Sequence, residues 1–230
     1  MAPKIPAPPR PARKGKARKP IEPAAVAEIF RRFQAANPHP KSELEYSNPF
    51  TLLVAVVLSA QATDTGVNKA TGALFQAADS PAKMAAFGEE KLQRMISTIG
   101  LYRNKAKNII ALSEKLLKDF GGEVPNSREA LESLPGVGRK TAHVVMNAAF
   151  GAPVIAVDTH VFRVSNRIPL AIGKTALEVE AGLAKTIPEE FKRHAHHWLI
   201  LHGRYICKSR APLCSRCLIN DLCQWPEKRV

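Results

Sequence analysis

The stretch Leu134-Pro135-Gly136-Val137-Gly138-Arg139-Lys140-Thr141-Ala142 decides how this chain folds, because it is a tight turn between two helical patterns. Residues 127–133 read as a short capped helix, and from Arg139 onward Thr141, Val144, Val145 and Ala148 give one face of a second. Two glycines in so short a connection let the backbone approach a ligand closely. The N–H groups at the start of the second helix then point outward, which suits a phosphate. Two other phosphate loops do not fit. A P-loop needs G-x-x-x-x-G-K-[ST] after a strand, whereas here Arg139 intrudes before Lys140 and the preceding segment is helical. The dinucleotide-binding fingerprint fails because Thr141 holds the last glycine position. On glycines alone, an ordinary helix–helix connection explains the turn equally well.

Outward from this turn the periodicity stays helical. Val26, Ile29, Phe30 and Phe33 repeat at i, i+3, i+4, i+7 after Pro23, and Asn37-Pro38 stops that helix. Ile109, Leu112, Leu116 and Phe120 repeat the pattern and end at Gly121-Gly122, a C-cap signal. Asn126 with Glu129, and Thr175 with Glu178, have the form of capping boxes. Pro188 opens a helix carrying Phe191, Trp198 and Leu199. No stretch alternates with a sustained period of two, and Val154 to Val157 is too short to build a sheet. The fold class is therefore all-α, with no internal repeat. The longest apolar run, Phe50 to Ala60, has about half the length needed to span a bilayer, so it reads as a buried helix of a soluble protein with no membrane partner.

The chain has 230 residues, 45% of them hydrophobic, enough for one or two sizeable cores. Its net charge of +14 points to a polyanionic partner. Residues 1–20 carry Lys4, Arg10, Arg13, Lys14, Lys16, Arg18 and Lys19 with six prolines and no acid. Such a segment cannot bury enough apolar surface to fold and is expected to be a disordered basic arm. It has no apolar h-region, so it does not read as a signal peptide, and its prolines argue against an amphipathic transit helix.

Cys207, Cys214, Cys217 and Cys223 are separated by six, two and five residues. Four thiols within so short a segment are expected to wrap one metal centre rather than form a disulfide framework. A Cys₄ zinc site usually shows two C-x-x-C knuckles, and here only Cys214 and Cys217 form one. Spacing leaves zinc and an iron–sulfur cluster both open. His194, His196, His197 and His202 lie just ahead of these cysteines, but four thiolates already complete a site, so packing or phosphate contacts are their expected roles.

Lys140 stands in the first turn of its helix, where the macrodipole disfavours a cation. A lysine that is locally unfavourable marks a functional position. The helix from Arg139 to Phe150 is ~18 Å long. Gly151-Ala152-Pro153 turns the chain, and an extended Val154 to Val157 returns it by roughly 13–17 Å. Asp158, itself an N-cap before Thr159 to Arg167, can thus come back near Lys140. A carboxylate at one helix start facing an amine at another makes an acid–base and nucleophile pair.

The segment 134–142, then Val157-Asp158-Thr159-His160-Val161-Phe162-Arg163, then C-x₆-C-x₂-C-x₅-C closely resemble endonuclease III, the bifunctional DNA glycosylases and abasic-site lyases of the helix-hairpin-helix superfamily. Leu58-Ser59-Ala60-Gln61-Ala62-Thr63-Asp64, Ile99-Gly100-Leu101-Tyr102 and the run from His197 to Tyr205 are similar to that family too, so the likeness spans about Pro23 to Trp225. The resemblance implies two helical lobes. Residues 42–152 would be a six-helix barrel domain with the helix-hairpin-helix, and 21–41 plus 153–230 a domain closed by one [4Fe–4S] cluster on the four cysteines. It implies removal of oxidised pyrimidines from duplex DNA, with Lys140 as nucleophile, Asp158 assisting, and strand cleavage at abasic sites. Gln61 would fill the space left by the flipped nucleotide and Leu101 would wedge between bases. Gly136, Gly138, Arg139, Thr141, His160, Arg204 and Lys208 are the remaining expected DNA contacts. His143 departs from the family's frequent asparagine and is placed to touch the pocket or the DNA backbone. Two other readings share these motifs: an adenine-mismatch-type glycosylase, which lacks a lysine at position 140, and a non-catalytic DNA-binding Fe–S protein, which would lack Lys140 or Asp158. A monomer is expected, in a bacterial cytoplasm at the nucleoid; the basic arm leaves nucleus and organelle open.

Overall fold

The computed structural model describes residues 21–228. The basic arm, residues 1–20, lies outside them. Among the described residues the chain is helical and has no strand. The helices are α1 (Pro23–Ala36), α2 (Pro49–Leu58), α3 (Asp64–Ala77), α4 (Pro81–Phe87), α5 (Glu89–Met95), α6 (Tyr102–Phe120), α7 (Arg128–Glu132), α8 (Arg139–Phe150), α9 (Thr159–Arg167), α10 (Ala176–Thr186) and α11 (Glu189–Tyr205), with a 3₁₀ turn at Cys214–Arg216. No helix among them is long and apolar enough to cross a membrane.

Helix starts follow local chemistry. Pro49 and Pro81 occupy first-turn positions where a missing N–H costs nothing. Asn48 and Thr51 form a reciprocal capping box on α2. The cap of α7 is Ser127, whose Oγ accepts from Ala130 N, not the expected Asn126. Both residues are good caps, and only the register of the first turn chooses between them. Thr175 caps α10 as expected, accepting from Glu178 N, while the Glu178 carboxylate reaches back to Lys174 N.

Two hydrophobic cores form. The first gathers Leu44, the whole buried run Phe50–Leu58 of α2, and inward positions of α3 to α8 such as Leu74, Met84, Leu92, Ile109, Leu112, Leu116 and Val145. Leu112 and Leu116 are fully buried on one stripe of α6, each stabilising by roughly 2 kcal/mol. The second core gathers α1 with α9, α10, α11 and Ile219. From Ile21 the described chain thus lies in the second core, leaves to build the first, and returns at Ile155. Helix α1 is fastened to α11 by Phe30 stacked on Phe191 at 5.8 Å and by Trp198 Nε1 donating to Asn37 O at 2.8 Å. Asn147 of α8 secures the return, its Nδ2 donating to Ala152 O, Val154 O and Arg193 O.

Candidate active site

A cleft of about 640 Å³ opens where the C-terminal end of α2 and the starts of α3, α8 and α9 face α11. Gly136 has φ +77°, a backbone that favours glycine, and a Cβ there would press on the Asn108 side chain at 3.0 Å. Gly138 is the N-cap of α8 and offers no side-chain cap. The first N–H groups of α8 are therefore left for an external acceptor. Lys140 projects from that first turn into the cleft beside Thr141.

The buried segment Ile155–Val157 brings the chain back, and Asp158 caps α9. Its Oδ1 accepts from His160 N at 2.9 Å and from Val161 N at 2.8 Å, while Oδ2 takes no hydrogen bond from the described residues. Lys140 and Asp158 line the same cleft. Lys140 keeps solvent-accessible surface, yet protein surrounds it on enough sides for desolvation to lower its pKa below that of an ordinary lysine. Asp158, then Asp64, pull the other way, and desolvation prevails. His196, buried with Nδ1 3.0 Å from Ala156 O, is pushed down to about 3 and stays neutral, so it adds no cation beside the amine.

Of the expected residues, Gln61, Lys140, Thr141, Asp158, His160 and Arg204 meet in the cleft. Leu101 does not line it, but stands on the surface with 60% of its area exposed and φ +60°. Gln61 has φ +57°, so both residues hold a left-handed backbone that L side chains rarely adopt. Leu101 is consequently not a core leucine. Lys208 is exposed in the cysteine segment, where its carbonyl accepts from Arg167 Nη1 at 2.7 Å.

Three placements differ from expectation. The Arg139 guanidinium, expected at DNA, reaches to α10 and donates to Glu180 Oε1 at 2.5 Å. Arg204 is held by the carboxylates of Asp64 and Glu43 rather than standing as a free cation. His143 is buried and absent from the cleft, its Nδ1 3.4 Å from Glu180 Oε2. Position 143 lies one residue off the face that Lys140 and Val144 present to the cleft, which turns its ring toward α10. Asp64, Glu43 and Glu180 were not legible as site residues. Each is one acid among twenty, and only tertiary packing sets it against its arginine.

Close approach of α9 and α11 keeps these groups in place. A Cβ at Gly203 would meet His160 Cβ at 2.8 Å, so glycine lets the helices touch. Arg163 then donates to Gly203 O at 2.8 Å and Cys207 O at 3.0 Å.

Cys207, Cys214, Cys217 and Cys223 line one cavity, all as free thiols. No three His, Cys, Asp or Glu side chains among the described residues come together as ligands of one ion. The four thiols share the lining of that cavity, so all four stand within reach of one common centre. His202, its Nε2 3.7 Å from Cys217 Sγ, is buried, kept neutral and packed against the thiols, whereas His196 and His197 line the cleft. Arg167 lies 4.1 Å over the Trp225 ring and donates to Ser209 O at 2.9 Å, and Arg32 pairs with Asp221, so α9 and α1 clamp the segment.

A glycine hairpin presenting a lysine, faced by a helix-capping aspartate across a cleft, defines a helix-hairpin-helix protein of base excision repair. A family model described as HhH-GPD superfamily base excision DNA repair protein matches residues 54–189. Endonuclease III of Escherichia coli (strain K12) is 57% identical over 201 residues, covering 87% of this chain and 95% of the relative. That of Treponema pallidum (strain Nichols) is 55% identical over 203 residues, covering 88% and 96%. A solved structure of a trapped endonuclease III–DNA covalent intermediate, an estranged-adenine complex, matches with a TM-score of 0.82 at 46% identity, over 89% of this chain and 96% of that one. A thermostable thymine-DNA glycosylase, 24% identical, shares the fold with a TM-score of 0.77. Within this superfamily the chain belongs to the endonuclease III family.

Proposed function

We propose that Lys140 is the nucleophile and Asp158 its charged partner in removing a damaged base from duplex DNA and cutting the strand beside it. As a member of the endonuclease III family the chain is a base-excision-repair DNA glycosylase and abasic-site lyase. Oxidised pyrimidines are the proposed substrates, with abasic sites as the second. The observation that carries the assignment is the Lys140 amine in the cleft, its pKa lowered by desolvation, opposite a carboxylate oxygen left free by the α9 cap.

The reaction needs the nucleotide out of the stack, at a cost of a few kcal/mol that is smaller for a damaged base. The cleft has the size of a nucleoside pocket. Gln61 at its rim takes the vacated space and exposed Leu101 enters between bases. The uncapped N–H groups that follow Gly138, with Thr141, His160 and Lys208, hold the backbone on either side, while Val137 N closes the turn on Leu134 O. The Arg139 and Arg204 side chains act chiefly by bracing this frame through Glu180, Asp64 and Glu43. The neutral Lys140 amine attacks C1′; the C1′–N bond breaks and the base leaves with the bonding pair and a proton. Asp158 stabilises the positive charge that develops on the sugar and assists proton transfer. Ring opening gives an imine between Lys140 and C1′. Loss of a C2′ proton and of the 3′ phosphate oxygen then cuts the strand 3′ to the lesion, and hydrolysis of the imine frees the amine.

Cys207, Cys214, Cys217 and Cys223 are the proposed ligands of one [4Fe–4S] cluster. When bound, the cluster supplies a rigid cross-link that sets the Lys208–Arg216 segment against DNA. The two cores support a division into lobes at 42–152 and at 21–41 plus 153–230, in a bacterial cytoplasmic protein.

Lys140→Gln tests the assignment. It removes the amine and keeps a hydrogen-bonding chain, so damaged duplex should bind near normally while imine formation and strand cleavage are lost. Cleavage at the wild-type rate would assign the nucleophile elsewhere.

A further inference from the structure

Lys105 is buried, with 6% of its surface exposed, on the first turn of α6. Its Nζ donates to Leu58 O at 2.9 Å and to Ala60 O at 2.6 Å. These carbonyls belong to the last residue of α2 and to the turn that follows it. A cation suits a helix C-terminus, and charged donors make the stronger hydrogen bonds. Yet no carboxylate among the described residues acts on this amine; burial alone moves its pKa, downward. A buried ammonium without a counter-ion is costly where a methionine would pack. Such a choice points to a task other than stability.

The location of the two carbonyls indicates the task. Ala60 O lies on the peptide that enters Gln61, so the 2.6 Å bond fixes the plane from which the +57° φ of Gln61 is turned. Lys105 N in turn donates to Leu101 O at 3.1 Å, on the peptide that leaves Leu101, whose φ is +60°. One residue therefore fastens the peptide before one left-handed residue and the peptide after the other. Left-handed backbone costs roughly 1–2 kcal/mol for a residue other than glycine, so such turns relax unless their surroundings hold them.

We propose that Lys105 is a positioning residue that locks the Gln61 turn to the Leu101 turn, so that the two side chains enter damaged DNA as one rigid unit. Its amine touches neither substrate nor reacting atoms; it acts through the Ala60 peptide plane, and ties that plane to the Leu101 turn because the backbone N–H of the same residue, which a side-chain substitution keeps, holds Leu101 O. Without it the turns remain but lose their fixed relation, and each side chain must be ordered separately when the nucleotide is displaced. This inference rests on the proposed roles of Gln61 and Leu101.

The test uses the full chain with Lys105→Met, which keeps length and apolar packing and removes charge and donors. Duplexes carry an oxidised pyrimidine opposite 2-aminopurine, whose emission reports loss of stacking. Lys105→Met should bind undamaged duplex as the wild type does, yet show a weaker emission rise and excision slowed about tenfold in single turnover. Adding Gln61→Ala should then cost much less than it does in the wild type, a non-additivity that loss of general stability would not produce. Wild-type excision and emission by Lys105→Met, or an undiminished cost of Gln61→Ala in that background, overturns the proposal. Should the Met variant not fold, Lys105→Gln retains one donor, and a partial loss of the same coupling is expected; full coupling overturns the proposal. If Gln61→Ala and Leu101→Ala alone excise and unstack at the wild-type rate, the probe reading itself falls and takes this one with it. If both are slow while Lys105→Met is normal, only the role of Lys105 falls.

Discussion

Asp158 Oδ1 caps α9 while Oδ2 is left to the cleft, so substitutions can separate the structural role from the chemical one. Asp158→Asn keeps an oxygen for the cap and should change stability by only about a few tenths of a kcal/mol, whereas Asp158→Ala should cost about 1 kcal/mol. Both should lose most excision, because only the carboxylate answers charge developing in the transition state. Thermal melts beside single-turnover assays on the two variants would check this; an Asn variant as unstable as the Ala variant would argue against it. The sign of the pH dependence follows from Lys140. Its pKa is held below the ordinary lysine value by desolvation, against the raising influence of Asp158 and Asp64. Excision should therefore rise with pH until the amine is neutral. Asp158→Asn removes the larger raising influence, so its inflection should move to lower pH while its plateau falls. An inflection that stayed or moved upward would contradict the assignment. Lys140 and Asp158 were legible in sequence because each breaks or satisfies a local helix rule. Lys105 was not, since its acceptors lie forty-five and forty-seven residues away.

The α7–α8 hairpin contains two glycines with different requirements. At Gly136 the backbone is left-handed and a Cβ would meet Asn108; at Gly138 φ is −101° and no atom stands within 4 Å of an added Cβ. Gly136→Ala should thus destabilise the fold by roughly 1 kcal/mol or more. Gly138→Ala should leave the melting temperature nearly unchanged and still weaken DNA affinity, since a methyl there occupies the space proposed for a phosphate. Parallel melts and binding titrations distinguish the two; unchanged affinity for Gly138→Ala would remove that glycine from the contact surface. The elements themselves were largely legible. The spans of α1 and α9 and the end of α6 follow from apolar period, proline and glycine stops, whereas α6 starts at Tyr102 after an uncapped left-handed Leu101 that no such signal marks. The face of α8 was less so: His143 and Asn147 are buried on it, because Glu180 and the carbonyls around Ala152 offer polar partners that no periodicity reveals.

Two cores joined by α8 and by ion pairs, Arg139 to Glu180 and Arg204 to Asp64 and Glu43, place the cleft where the halves of the molecule meet. Basic composition anticipated a polyanionic partner, but not that two of the arginines expected to contact DNA would be engaged by acids. Seven cations of the net +14 chain lie in residues 1–20. Deleting that segment should weaken DNA affinity uniformly across sequences and flatten the slope of log affinity against log salt. An unchanged slope would make the arm a solubilising tail. Cys214→Ser should abolish the visible absorbance of a cluster and loosen the segment that α1 and α9 clamp, without altering the inflection set by Lys140.

Borohydride reduction during turnover of an oxidised-pyrimidine duplex, followed by peptide mapping of the protein–DNA adduct, tests the central claim most directly. The adduct should map to the peptide containing Lys140 in the wild type and be absent from Lys140→Gln. An adduct on any other amine in the wild type, or one formed by Lys140→Gln at the normal rate, would contradict the account.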